Sequence, residues 1–281
     1  MLLSNPRHRA FYFGLPGAVV SSAGSLARPA LSLTASPLPG VSGVTAVRSA
    51  GAAVSPVRIP SPDETGRVRV PLSDRPPARL PASGVPAGWE VTEFAGDATV
   101  ELVRDEGRVA VRLRSTRDSF ALHRDVVVDV GQYPILGWSW KVTRLPAGGD
   151  VREAGRDDQA AQVYVVFPRW PSPRTSSEVI GYVWDGRAPA GTTLSHPRTP
   201  NVRIMVLQSG GARLDTWVRE QRNVAEDYRA LFGRQPPRVG KIALMIDSND
   251  TRSEAEAQFG ELSFARPGAP QHTEIPTPML R

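Results

Sequence analysis

From Trp89 onward, short apolar runs alternate with turn residues, the pattern of an all-β chain. Trp89–Phe94 and Thr99–Val103 read as strands, with Asp105-Glu106-Gly107 as the turn after them. In Arg108–Arg114 a period of two puts Val109, Val111 and Leu113 on one face. Arg108, Arg112 and Arg114 fall on the other, solvated face. Phe120, Leu122, Val126, Val128 and Val130 continue the alternation, and Ile135–Val142 places Trp138 and Trp140 on one face. Gln159–Phe167, Val179–Trp184, Val202–Leu207, Thr216–Arg219, Ile242–Ile246 and Glu261–Phe264 complete the set. Roughly eleven strands suit one sandwich.

A single helical period interrupts this. Val224, Tyr228, Leu231 and Phe232 are spaced for one face of a helix over Asn223–Phe232. Asn223 is placed to cap it, Glu226 stands three residues later, and Gly233 occupies the position of a left-handed terminator before Pro236-Pro237. The expected architecture is therefore all-β: a single, jelly-roll-like β-sandwich over residues 83–266 with one short covering helix.

Outside this body the pattern fades. Residues 1–82 are rich in Pro, Ala, Ser and Gly and read as disordered, apart from a short strand at Val68–Leu72. Residues 267–281 read as a frayed tail. Arg7, His8 and Arg9 before the apolar run Ala10–Val20, followed by Ser21-Ser22-Ala23, have the outline of a secretory signal, which implies a periplasmic or secreted protein. Pro16 interrupts that run, and the alternative is a start site assigned upstream of the true one. No apolar stretch is long enough for an integral membrane helix.

Charge narrows the partners. The net charge is +6, and residues 1–82 account for all of it, with nine Arg against Asp63, Glu64 and Asp74. Residues 83–281 balance 25 basic against 25 acidic side chains, which lacks the footprint of a nucleic-acid binder. With no Cys and four dispersed His, thiolate chemistry is excluded and a zinc site has little to build on. No GxSxG, Walker loop or GxGxxG occurs, and His123 and His196 have no acid partner nearby in sequence.

Several longer phrases carry a resemblance: HRDVVVDVGQYPILGWSWKVTRLPAGGD, DDQAAQVYVVFP, EVIGYVWD, EQRNVAEDY and ALMIDSNDTRSEAEAQFGELSF. In this order, over about residues 85–266, they resemble the bacterial domain-of-unknown-function family 3047. The resemblance implies a family and frequent export, not a reaction. More loosely, YPILGWSWK and the closing stretch 242–264 look like strands of jelly-roll carbohydrate-binding and galactose-binding-like domains. The family pattern is more acidic than this chain at Asn249.

Four groups of residues are candidates for a site. Trp138 and Trp140 would either stack on a sugar ring or fill the inner face of the sandwich, while Trp170, between Pro168 and Pro171, is a loop platform or an end plug. The acidic loop Asp150–Asp158 carries Asp157 and Asp158, which in an extended chain point to opposite faces. Asp247 and Asp250, in a run with oxygens at alternate positions, would suit Ca²⁺, although the EF-hand register fails because Arg252 and Gln258 stand where Gly and Glu are needed. No other cofactor is expected. Arg222, Asp227 and Tyr228 offer a guanidinium, a carboxylate and a phenol on one short helical segment, with Arg222 and Asp227 spaced too far apart for good pairing along a helix.

The leading expectation is a non-catalytic envelope protein that binds a saccharide or another polar small molecule. A glycan-active hydrolase or lyase using the acidic-loop carboxylates is the rival. A structural protein-interaction module is the third reading.

Overall fold

The computed structural model describes residues 61–170 and 176–269. The signal-like segment 1–23, the proline-rich stretch up to residue 60, Pro171 and the tail from residue 270 lie outside the described residues.

Two sheets pack face to face. The first holds β1 (Arg67–Val70), β2 (Ala82–Ser83), β4 (Thr99–Asp105), β5 (Arg108–Thr116), β7 (Ile135–Arg144), β12 (Val218–Asn223), β14 (Glu254–Phe259) and β15 (Leu262–Ala265). The second holds β3 (Glu90–Ala95), β6 (Ser119–Val128), β8 (Ala161–Phe167), β9 (Glu178–Asp185), β10 (Thr193–Ser195), β11 (Val202–Ser209) and β13 (Val239–Asp247). The chain crosses repeatedly between the sheets, as in a jelly roll. Among the described residues all pairings are antiparallel except β9 with β11, which run parallel.

The alternation read from the sequence is what fills the space between the sheets. Trp138 and Trp140 of β7 face inward, with ring centroids 5.4 Å apart and an edge-on contact. Trp138 lies against Tyr182 at 5.3 Å and Trp140 against Trp184 at 6.1 Å, so both indoles are core residues spanning the two sheets. Phe120, Phe259 and Phe264 join them, fully buried. Val109 departs from the expected inner face, being 40% exposed where β5 leaves the turn and runs past the core.

The folded body begins earlier than residue 83. β1 pairs with β15, Val68 opposite Phe264 and Val70 opposite Leu262, and both valines are buried. The short strand read at Val68–Leu72 is this one, at Arg67–Val70: the alternation Arg67-Val68-Arg69-Val70 supplies one apolar face, which is enough beside an existing strand. The segment that follows is tied down by Trp89 Nε1, which donates to the Pro71 carbonyl at 3.1 Å, and by an ion pair between Arg124 and Asp74.

The single helix described, α1 (Val224–Phe232), forms as its caps direct. Asn223 Oδ1 accepts from the Glu226 amide at 3.2 Å, and Gly233 ends the helix at φ 69°. Tyr228 drops into the sandwich between Phe167 and Phe232, at centroid distances of 4.6 and 4.7 Å.

Candidate functional site

The acidic loop and the 247–250 turn meet at one end of the second sheet, where their carboxylates hold loops in place. Asp157 Oδ2 lies 2.9 Å from His196 Nε2, both side chains buried. Asp158, fully buried, accepts from the backbone amides of Asp250 at 3.1 Å and Thr251 at 2.6 Å. The two neighbours thus serve different partners. Asp250 pairs with Arg198 at 2.8 Å. Burial, and then the neighbouring Asp158, pushes the Asp247 carboxyl well above its ordinary range. Among the described residues no group of three or more His, Asp or Glu side chains is arranged to hold a metal ion. The oxygens of the 247–251 run serve turns and loop attachments.

His196 and His123 find through space the partners that sequence proximity does not offer. Lys241 of β13, 1% exposed, lies 2.9 Å from Asp125 Oδ1, within ion-pair range but without hydrogen-bond alignment. An ammonium can only donate, so Lys241 Nζ donates to His123 Nδ1 at 3.0 Å and leaves the Nε2 side to Thr92 Oγ1, also at 3.0 Å. Burial and then the Lys241 charge depress this imidazole to about 4.

The remaining sequence candidates separate. Trp170 is 74% exposed just beyond β8. Tyr228 is not available to a ligand: it is fully buried, and its hydroxyl donates to Glu178, which also pairs with Arg234 and Arg169. The reason is its position on the inward face of α1, next to Val224 and Ala225.

Arg222 and Asp227 pair directly, contrary to the expectation from helical spacing. Arg222 is not on the helix. It lies in β12, and the corner at Asn223 folds the helix start back onto it. Arg222 donates from Nε to Asp227 Oδ2 at 2.9 Å and from Nη2 to Oδ1 at 2.5 Å. The Tyr182 hydroxyl donates to the same carboxylate at 2.7 Å. Burial, and then the Asp227 charge, keeps Tyr182 protonated well beyond the usual phenol range, consistent with that role.

This pair stands beside a cleft of about 270 Å³ at the open edge of the sandwich, between β12 of the first sheet and β11 of the second. Glu220 and Arg222 line one wall, Met205 and Leu207 the other, and Thr192 and Thr193 the rim. In register, Glu220 is opposite Trp138 and Arg222 opposite Leu136, so both project toward the inside of the sandwich.

A β-bulge shapes the facing wall. Val206 of β11 pairs with Val183, but the next paired residue is Gln208, opposite Trp184, so Leu207 is an extra residue. Before the bulge, Val202, Ile204 and Val206 face away from the sandwich interior; after it, Gln208 is brought onto the inward face with Trp184. There Gln208 Nε2 donates to Glu220 Oε1 at 2.8 Å. Burial pushes the Glu220 carboxyl up, against the opposing effects of Gln208, Trp140, Arg213 and Arg222. Reading Thr216–Arg219 as the whole strand hid Glu220, because the polar run 219–223 breaks the apolar alternation that marks a strand.

A two-sheet sandwich of jelly-roll kind with a polar cleft at its edge is the class this geometry defines. The chain belongs to the family described as protein of unknown function DUF3047, whose model matches residues 87–263. No curated protein matches it by sequence. Among solved structures it is similar to the xyloglucanase domain of NopAA, a type three effector from Sinorhizobium fredii, at 11% identity over 67% of this chain and 96% of that one, with a TM-score of 0.37. It is also similar to endoglucanase cel12A from Rhodothermus marinus, at 8% identity over 67% of this chain and 100% of that one, TM-score 0.39. A third is the enzymatically active domain of tailspike protein 4 from bacteriophage CBA120, at 12% identity over 63% of this chain, TM-score 0.35; the chain spans only 19% of that protein's length. At these values nothing about ligand or activity transfers.

Proposed function

We propose that the chain is a non-catalytic binding protein for a saccharide or another polar small molecule, held in the cleft between β11 and β12. The observation that carries this reading is the bulge at Leu207, which turns Gln208 inward onto Glu220 at the cleft wall. Bulges re-aim side chains at functional places at some expense to the ladder. The cleft sets donors and acceptors from Thr192, Thr193, Glu220, Gln221 and Arg222 over the apolar Met205 and Leu207, a mixture suited to the two kinds of surface on a sugar. At about 270 Å³ it falls just below the about 300–1,000 Å³ typical of drug-sized ligands, a size suited to a single ring. The carboxylates of the acidic loop and the 247–250 turn are tied to His196, Arg198 and backbone amides, which favours the cleft over that end as the site. Export through the signal-like segment would place the protein in the periplasm or outside the cell, and the N-terminal mass of the protein recovered from each compartment tests this.

A thermal-shift series on the full chain against neutral and acidic monosaccharides tests the site. A ligand that binds only the folded state raises the melting temperature once its concentration exceeds Kd. The expected result is a hit that Thr193→Trp abolishes by filling the rim, with the unliganded melting temperature little changed because Thr193 is exposed. A hit lost in Trp170→Ala and kept in Thr193→Trp would move the site to the loop platform and overturn the cleft.

A further inference from the structure

The inward face of β12 sets two charged side chains on the cleft wall, Glu220 and Arg222, two residues apart on one strand. Residues so spaced share a face and start about 6.5 Å apart at the backbone, so both can reach one sugar ring. Arg222 is fixed before any ligand arrives. Asp227 takes its Nε and Nη2 groups, and the Tyr182 hydroxyl holds the same carboxylate. The Arg222 side chain remains 32% exposed. A guanidinium has five N–H donors, so donors are left for a second acceptor, while the charge is already matched by Asp227.

Glu220 is the complementary group. The neighbours that face it are N–H donors or cations: the Gln208 amide from β11, the Trp138 and Trp140 indoles from β7, Arg222 on its own strand, and Arg213 in the segment before β12. They favour the carboxylate form, and burial alone opposes it. Gln208 supplies the aligned hydrogen bond, to Oε1 at 2.8 Å. An ionised carboxylate has about four lone-pair sites, so Glu220 keeps acceptor capacity beside the donors that Arg222 keeps.

This wall therefore does not call for a ligand charge of either sign. It calls for a group that can donate to a carboxylate and accept from a guanidinium. A hydroxyl does both, and two hydroxyls on neighbouring ring carbons do so side by side. A ligand carboxylate has no proton to give Glu220, and an ammonium has no lone pair to offer Arg222.

We propose that the cleft selects a neutral saccharide through two adjacent ring hydroxyls, one donating to the Glu220 carboxylate and the other accepting from the Arg222 guanidinium, with the ring over Met205 and Leu207. This rests on the cleft being the binding site. No covalent bond is made or broken.

Isothermal titration of the full chain at about pH 7 tests the proposal, with D-glucose, D-galactose and D-mannose, their monodeoxy forms, D-glucuronate, D-galacturonate and D-glucosamine. A neutral hexose is expected to bind at least about tenfold more tightly than the uronates and glucosamine. Removing either of two adjacent hydroxyls should weaken it at least about tenfold, because a buried partner is then left unpaired. In Glu220→Gln, Gln208 holds the new amide oxygen and the new amide N–H group is left to the cleft, so the wall offers donors only. This variant should lose at least about tenfold for the neutral sugar and gain for the uronates, an exchange that a merely structural role for Glu220 would not produce. Uronates or glucosamine binding the parent chain as tightly as neutral sugars, Glu220→Gln leaving the preference unchanged, or sensitivity to no two adjacent hydroxyls would each overturn this inference. If Thr193→Trp still abolishes binding in those cases, the cleft stands as a sugar site. Binding by none of the sugars overturns the reading of the cleft and this inference with it.

Discussion

Glu220 is a carboxyl group on the inward face of a strand, opposite an indole, with an amide as its closest partner. Its folded-state pKa is raised, so it is ionised in both folded and unfolded chains at high pH, where burying the charge costs stability. As pH falls through the folded-state pKa, the folded state takes up the proton first and that cost disappears. Glu220→Gln should therefore melt above the parent chain at about pH 8, with the difference narrowing toward about pH 4, as scanning calorimetry at several pH values would show. Asp227 is the opposite case, because it holds partners together. Asp227→Ala leaves Arg222 and the buried Tyr182 hydroxyl without their acceptor and should cost about 2–3 kcal/mol in urea unfolding. Both Arg222 and Asp227 were legible as chemistry in the sequence, but their pairing was not. It depends on a strand-to-helix corner at Asn223, and periodicity assigned Arg222 to the wrong side of that corner.

At the scale of elements, the strands that could be read were those with large apolar residues at alternate positions. β14 was missed for a physical reason. Its inward residues include Ala255 and Ala257, whose side chains give a weak alternation, and burial by neighbouring strands supplies what their size does not. β10 is three residues long and exists only as an edge to β11. The helix was legible because its ends are written in local chemistry, which needs no tertiary partner. Asn223→Ala should cost about 1 kcal/mol, and the melting temperature should drop by about 2–4 °C. A second elemental feature is the packing of β9, where a Cβ on Gly181 would meet Tyr164 at 2.6 Å and Ile204 at 2.7 Å. Gly181→Ala is expected to destabilise by about 1–3 kcal/mol, measured by the same unfolding curves.

For the whole molecule, composition misplaced the boundary of the folded body, because proline content speaks for a segment on average and not for the four residues of β1. A chain beginning at residue 83 should melt below one beginning at residue 61, since it loses Val68 and Val70 and exposes the edge of β15. Equal melting temperatures would mean that β1 contributes nothing. The core itself is anchored by indoles that touch both sheets. Trp140→Ala should cost about 3–5 kcal/mol, as expected for removing a large side chain from a closed interior. The sandwich was legible because its interior obeys one simple period. The cleft was not, because it is made where that period is broken.

The break at Leu207 acts like a frame change in a text with only two letters, inside and outside. Every residue of β11 after it is read in the other frame. Substituting Leu207 alters one side chain, whereas deleting it would return β11 to plain alternation, with Gln208 still opposite Trp184 and Ser209 opposite Asp185 and one apolar residue gone from the cleft wall. In relatives of this chain, a strand one residue shorter before Gly210 should therefore still turn its amide inward. What such a relative would lack is the apolar contribution of Leu207, so its cleft would keep the polar wall and be barer on the facing side.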